Sequence, residues 1–99
     1  MSKATLTIDG GRLTVSGVLD FESVPDLDKQ GEHWLASSAP AQCELDLAAV
    51  TYSSSVGIAL VLGWLRAAAR AHKTLAVKNI PADMRALARV GGLDAVLTG

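Results

Sequence analysis

The 99-residue sequence has few cysteines, few aromatic residues and no excess of one charge, and each shortage excludes a class of protein. Its one cysteine, Cys43, cannot form an internal disulfide, which fits a reducing compartment. Cys43 begins an apolar stretch, so we expect it to be a small buried hydrophobe rather than a reactive thiol. One Phe, one Tyr and two Trp are too few for a platform that stacks nucleic-acid bases. Because the net charge is only −1, we expect no nucleic-acid partner.

Long hydrophobic runs are also missing. The apolar stretch over residues 56–65 is about half of the roughly 20 residues that a membrane-spanning helix needs, and Arg66 and Arg70 follow it. The first ten residues, MSKATLTIDG, lack the apolar core of a signal peptide. The sequence therefore predicts a soluble, cytoplasmic protein without direct membrane insertion.

Motifs for catalysis and metal binding are absent from the sequence. His33 and His72 lie far apart, and neither has a cysteine or carboxylate at metal-ligand spacing. No glycine-rich phosphate loop and no G-x-S-x-G nucleophile motif occurs. We expect Asp20 and Asp46 to bond nearby backbone rather than to act as acid and base. The sequence therefore predicts no enzyme, no metal and no cofactor.

The residues that are present indicate one folded domain over residues 1–99. Hydrophobic residues make up 49% and charged residues 19%, which argues against disorder. Apolar alternation on both sides of a glycine turn predicts a hairpin, and Pro25 suits the first turn of a helix that Gly31 weakens. The predicted elements are strands at 4–8, 12–17, 44–50 and 74–77, and helices at 23–37, 55–71 and 82–90. The order β-β-α-β-α-β-α predicts an α/β fold, a small mixed sheet packed against helices.

The end of the chain completes this prediction. Gly91 and Gly92 are expected to end the last helix, as glycine does at helix C-termini. An apolar tail follows, and we expect it to dock on the core; it contains Leu93, Val96 and Leu97.

The stretch LDLAAVTYSSSVGIALVLGWL, residues 45–65, organises the chain. It predicts a buried strand that ends at Val50, a serine-rich turn over residues 51–55 and an apolar helix that begins near Val56. One serine can cap the helix by accepting a hydrogen bond from an unpaired N–H of its first turn. The other hydroxyls of Ser53, Ser54 and Ser55 are then expected to face outward at a helix end that favours anions. This turn is the predicted functional site.

The helix after the turn is apolar nearly all round. One line of residues carries Ile58 and Leu65, and the opposite face carries Val56, Leu60 and Trp64. A helix with two apolar sides is covered either by another helix of the same chain or by a partner, and both alternatives stay open. In the partner alternative, Val56, Leu60 and Trp64 form an outward docking face.

Five segments resemble the STAS domains, named from sulfate transporters and anti-sigma-factor antagonists. Asp46-Leu47 looks like the strand motif of that family, and Ser54-Ser55-Val56-Gly57 takes the place of its turn. Gly17-Val18-Leu19-Asp20 is similar to the glycine-x-leucine-aspartate segment. Asn79-Ile80-Pro81 and Gly92-Leu93 extend the resemblance over most of the chain. The turn and the stretch from 81 to 93 look most like the MlaB group of STAS domains.

This resemblance implies a non-enzymatic accessory subunit of an ABC transporter that moves phospholipid and maintains outer-membrane lipid asymmetry. The implied partner is an MlaF-like ATPase subunit, within a complex that includes a permease and periplasmic lipid-binding subunits. The implied location is cytoplasmic and peripheral at the inner membrane through that partner. The candidate partner-binding residues are Tyr52, Ser53, Ser54, Ser55, Val56, Leu60 and Trp64.

An alternative implied by the same family is an anti-sigma-factor antagonist that works by partner switching. In STAS domains the hydroxyl residue after the acidic position is the phosphorylation site or the critical contact, and Ser55 holds that position here. Ser54 stands where the switching members keep an aspartate, which favours a constitutive docking surface. A ligand-binding module is a third, weaker alternative, because the sequence has no pocket signature.

Overall fold

Apolar and polar residues alternate along four segments of the described part of the chain, and these segments pair into one sheet. The computed structural model describes residues 3–90. The elements in chain order are β1 (Ala4–Asp9), β2 (Arg12–Leu19), α1 (Val24–Ser37), β3 (Gln42–Ser53), α2 (Ser55–Arg70), β4 (Thr74–Lys78) and α3 (Ala82–Val90). The predicted α/β fold and the order β-β-α-β-α-β-α are confirmed. The expected glycine stop and the apolar tail lie outside the described residues.

The sheet has the strand order β1-β2-β3-β4, with β1 antiparallel to β2 and with β2, β3 and β4 parallel to one another. Both parallel connections step in the same direction across the sheet. Because such crossovers are right-handed, α1 and α2 lie on the same face. Leu13 and Leu45 are buried under these helices, whereas Thr14 and Glu44 alternate with them and point to the opposite face.

The packing of α1 against α2 depends on one glycine. A Cβ atom on Gly31 would overlap the indole ring of Trp64, which is fully buried. The indole Nε1 donates a hydrogen bond to the carbonyl of Asp28 at 3.4 Å, so the ring buries its polar atom with a partner. The residue that weakens the helical pattern of α1 is therefore the one that lets the two helices approach.

The end of β3 differs from the prediction. The strand continues to Ser53 instead of ending at Val50, and only Ser54 separates it from α2. The pairing of β3 with β2 shifts register twice, between Thr14 and Ser16 and between Gly17 and Val18 of β2. Each shift leaves an extra residue in β3, which interrupts the alternation that identifies a strand. The predicted five-residue turn is therefore wrong, because most of it belongs to the strand.

Candidate functional site

The three consecutive serines have three different environments, and Ser53 is the buried one. Only 2% of Ser53 is exposed, and its hydroxyl donates to the carbonyl of Ser54 at 2.9 Å. A Cβ atom on Gly57 would overlap this hydroxyl, so Gly57 leaves the space that Ser53 fills. The expectation that Ser53 faces outward is wrong, because β3 continues through it and turns its side chain toward the helices.

Ser54 is the N-cap of α2. Its hydroxyl oxygen accepts a hydrogen bond from the N–H of Val56 at 3.3 Å, which satisfies one unpaired donor of the first turn. The Ser54 N–H donates to the carbonyl of Leu19 at 3.0 Å, and its hydroxyl donates to the same carbonyl at 3.4 Å. Ser54 therefore joins the start of α2 to the end of β2, and its hydroxyl is used within the domain.

Ser55 is the serine that the fold presents to solvent. It is the first residue of α2 and is exposed, while Val56 beside it is half-buried. Tyr52, near the end of β3, is 53% exposed. We call Tyr52, Ser54, Ser55 and Val56 the serine corner. Of the predicted site residues, these four lie around the junction of β3 and α2, and none of them is buried.

Leu60 and Trp64 lie elsewhere. They are 4% and 0% exposed, and the same chain covers both of them. The predicted outward face of Val56, Leu60 and Trp64 is therefore wrong, and the alternative of cover within the chain is correct. The reason is that α1 and α3 both pack against α2. The two apolar sides of this helix are therefore covered within the chain and need no partner protein.

The exposed side of α2 carries mostly small residues rather than large apolar ones. Ser55, Ala59 and Arg66 are exposed, and Gly63 lies between the last two at helical spacing. A Cβ atom built on Gly63 would meet no atom within 4 Å, so this position faces open space. We call Ser55, Ala59, Gly63 and Arg66 the outer stripe. It continues directly from the serine corner along α2.

Phe21 is a surface residue that the sequence reasoning missed. It is 81% exposed and follows the end of β2 by two residues. Since β2 and β3 are parallel and Val18 pairs with Tyr52, the carboxyl ends of both strands meet at the same edge of the sheet. The sequence does contain a sign that Phe21 is exposed, because this aromatic residue belongs neither to the alternation of a strand nor to the apolar stripe of a helix.

Two aspartates bond local backbone, as predicted. Asp20 accepts from the Lys3 ammonium at 2.9 Å and from the N–H groups of Glu22 and Ser23. The hydrogen bond from Lys3 is the largest cause that lowers the pKa of Asp20, and the N–H of Ser23 adds to it. These contacts fix the turn between β2 and α1, beside the serine corner.

Asp46 makes similar contacts within β3. Its Oδ1 accepts from Asn79 Nδ2 at 3.0 Å and from the N–H of Ala48 at 2.9 Å. The hydrogen bond from Asn79 lowers the pKa of Asp46 most, followed by the bond from Ala48 and by the charge of Arg12. The carboxylate therefore holds the bulged part of β3 to the residue that follows β4.

The remaining chemistry-bearing groups are dispersed. Cys43 is buried, as predicted, and burial raises the pKa of its thiol. Among residues 3–90, no three histidine, cysteine or carboxylate side chains cluster in a way that could hold a metal ion. None of the helices in this part of the chain is both long and apolar enough to cross a membrane.

A protein-family model described as "Mlab, STAS domain" matches residues 3–98. The chain belongs to this family of STAS domains. The resemblance that the five sequence segments carry is thereby confirmed. No curated protein matches the sequence significantly.

Solved STAS-type structures share the fold. The unphosphorylated anti-sigma factor antagonist SpoIIAA is 18% identical with a TM-score of 0.73, over 93% of this chain and 83% of that one. The phosphorylated form of SpoIIAA, a Bacillus cell fate determinant, is 20% identical with a TM-score of 0.68, over 93% and 86%. An anti-sigma factor antagonist from Mycobacterium paratuberculosis is 21% identical with a TM-score of 0.68, over 94% and 80%. At these identities the likeness concerns the fold of the STAS domain.

Proposed function

We propose that this STAS domain is a non-enzymatic accessory subunit of an ABC phospholipid transporter that maintains outer-membrane lipid asymmetry. It binds an MlaF-like ATPase subunit through the serine corner and the outer stripe of α2. The family model supports the MlaB-like assignment. The observation that carries the docking site is the exposure of Ser55 at the start of a helix whose Leu60 and Trp64 side chains are buried within the chain.

The shape of the outer stripe suits close contact with another protein. Ala59 and Gly63 carry little or no side chain, and the distance between packed helices depends on the side chains at the contact. Tyr52 adds an exposed aromatic ring with a hydroxyl, a residue type enriched among interface hot spots. Leu60 and Trp64 are buried within the chain, so they are core residues of the same helix and not contacts with the partner.

A charge placed on Ser55 tests the proposed interface. We expect Ser55→Asp to weaken binding to the ATPase subunit by about tenfold or more, because burying an unpaired carboxylate in an interface costs several kcal/mol. ATP hydrolysis by the reconstituted complex should fall in parallel. The measurement is co-purification and ATPase activity with an MlaF-like ATPase subunit and its permease. The variant should stay folded, since a carboxylate in the first turn of a helix is favourable.

Ala41→Asp is the matched control. Ala41 is exposed in the connection before β3, at the opposite end of that strand from the serine corner. It introduces the same charge on a surface that the proposal leaves free. Normal assembly and ATP hydrolysis with Ser55→Asp would contradict the proposal, and so would equal losses in both variants.

A second candidate is an anti-sigma-factor antagonist switched by phosphorylation of Ser55. Two observations favour it: Ser55 is accessible, and SpoIIAA has a solved phosphorylated form. Phosphate would add about −1.5 to −2 charge beside a helix N-terminus. Mass spectrometry after incubation with candidate anti-sigma kinases tests this alternative. Stoichiometric phosphate that Ser55→Ala abolishes would favour it, and an unmodified Ser55 together with ATPase binding would favour the transporter subunit.

A further inference from the structure

The outer edge of β1 has backbone groups that no strand of the described chain pairs. β1 is the first strand in the sheet order, and its only neighbour among residues 3–90 is β2. The carbonyl of Lys3 accepts from the N–H of Val18 at 2.9 Å. Alternate residues of an antiparallel strand bond the same neighbour, so the N–H and C=O groups of Ala4, Leu6 and Ile8 point to the free edge.

A groove of about 460 Å³ lies beside this edge, between β1 and the first turns of α1. Leu27 is buried and Leu6 is half-buried, and together they form its apolar floor. Glu22, Asp26 and Gln30 line the helix side of the groove. An edge strand beside a groove is the arrangement that binds extended peptides, since the edge bonds the peptide backbone and the groove receives alternate side chains.

The charges of the groove favour a basic occupant. Its lining contains one cation, Lys3, and two carboxylates, Glu22 and Asp26. The Lys3 ammonium already contacts Asp20 at 2.9 Å and Glu22 at 3.2 Å. Asp26 is exposed and forms no ion pair within residues 3–90. A lysine or arginine of the occupant would find its counter-charge there.

Along residues 4–8 the edge also lacks the charges and prolines that usually prevent strand addition. Natural edge strands carry charges or prolines that block pairing with another chain. Between Lys3 and Asp9, β1 reads Ala-Thr-Leu-Thr-Ile, with neither a charge nor a proline. The edge is therefore open to pairing along the part that borders the groove.

We propose that the edge of β1 and the adjoining groove bind an extended segment of a partner protein as a fifth strand. One apolar side chain of that segment packs over Leu6 and Leu27, and a neighbouring lysine or arginine pairs with Asp26. This surface is separate from the serine corner, so the inference does not depend on the proposed function.

A synthetic peptide tests strand addition directly. The probe is a fluorescein-labelled peptide of about eight residues, a usual strand length, with alternating valine and threonine and one central arginine. Two derivatives carry N-methyl groups on alternate amides, one derivative for each phase. Since only one phase of a strand faces β1, we expect one derivative to lose binding and the other to keep it. The full-length chain is titrated by fluorescence anisotropy, and amide NMR shifts should locate the peptide at Ala4, Leu6 and Leu27.

A charge exchange tests the groove. Asp26→Lys should weaken the arginine peptide by about two- to fivefold, the range expected for an exposed ion pair. A peptide with glutamate in place of the arginine should then bind the variant better than the wild type. Glu32→Lys, exposed on the same helix but outside the groove, is the matched control and should change neither affinity.

Several outcomes would overturn this inference. They are no saturable binding of the peptide at millimolar concentration, equal loss with both N-methylated derivatives, and NMR shifts confined to another surface. Pairing of β1 with a second copy of the chain, or cover of the groove by residues 91–99, would also overturn it, because the edge would then have an occupant of its own.

Discussion

Gly57 and Gly63 stand in the same helix, six residues apart, and meet opposite surroundings. A Cβ atom on Gly57 would overlap the Ser53 hydroxyl and come within 3.3 Å of Leu19, whereas one on Gly63 would meet nothing within 4 Å. We expect Gly57→Ala to lower the free energy of unfolding by about 1–3 kcal/mol, the usual cost of overpacking. We expect Gly63→Ala to raise it by about 0.5–1 kcal/mol, because alanine favours the helix.

Denaturant unfolding of the two variants measures this difference. Each alanine adds one methyl group to the same helix, so each variant is the control for the other. Equal changes in the midpoint would show that helix propensity alone decides, and that the contact between Gly57 and Ser53 does not matter.

At the scale of single residues, the sequence predicts the need for a cap but not which serine supplies it. The choice among Ser53, Ser54 and Ser55 depends on where β3 ends, since side chains alternate between the two faces of a strand. Two register shifts in β3 change that alternation before the serines are reached. The exposure of Ser55 and the burial of Ser53 therefore follow from pairing with β2, which a local pattern does not contain.

At the scale of elements, the packing of α2 against α1 depends on the buried side chain of Trp64. We expect Trp64→Ala to lower the free energy of unfolding by about 3–5 kcal/mol, because the indole is fully buried between helices and its removal leaves a cavity. Thermal or urea unfolding measures the change. Arg66→Ala, exposed on the same helix, should stay within about 0.5 kcal/mol of the wild type.

A Trp64→Ala variant as stable as the wild type would contradict the assignment of Trp64 to the core. It would also reopen the docking face that the sequence suggested on α2. The comparison therefore distinguishes a structural role of this side chain from a contact with a partner.

At the scale of elements, the sequence predicts order and type well, because apolar periodicity differs between strands and helices. It also indicates that α2 is apolar on two sides. It does not tell what covers them, since that depends on how α1 and α3 pack in space. Gly31 illustrates the limit: in the pattern it weakens a helix, whereas in the fold it makes room for Trp64.

The whole molecule should lose stability in acid through two carboxylates. The pKa of Asp20 and that of Asp46 are both lowered from the ordinary value of 3.8 in the folded state. The unfolded chain therefore binds these protons first, so their contribution is present above that value and is lost as the pH falls through the lowered folded pKa.

Urea unfolding between about pH 5 and pH 2 measures this loss. Asp46→Asn should lower the free energy of unfolding at neutral pH. It should also make the loss of stability in acid smaller, because residue 46 then has no carboxylate to titrate. Asp9→Asn, at an exposed carboxylate near the hairpin turn, is the control and should keep the wild-type profile. A profile unchanged by Asp46→Asn would contradict the assigned role of its hydrogen bonds.

At the scale of the whole molecule, crossover handedness predicts helices against a sheet, but it does not identify which edges stay free. The groove beside β1 arises because α1 starts next to the outermost strand. The sequences of β1 and α1 do not predict this groove by themselves, because Lys3 and Asp26 look like ordinary surface charges. Such a surface can be predicted only once the strand order is known.

The single residue between β3 and α2 has a consequence for molecular recognition. Ser54 is held at both its backbone and its hydroxyl, so the position of Ser55 relative to an interior strand is already determined before any encounter. A partner that docks there orders no loop and loses little conformational entropy on that account. In the proposed interface, affinity at this point is thus set by the fit of a preorganised surface.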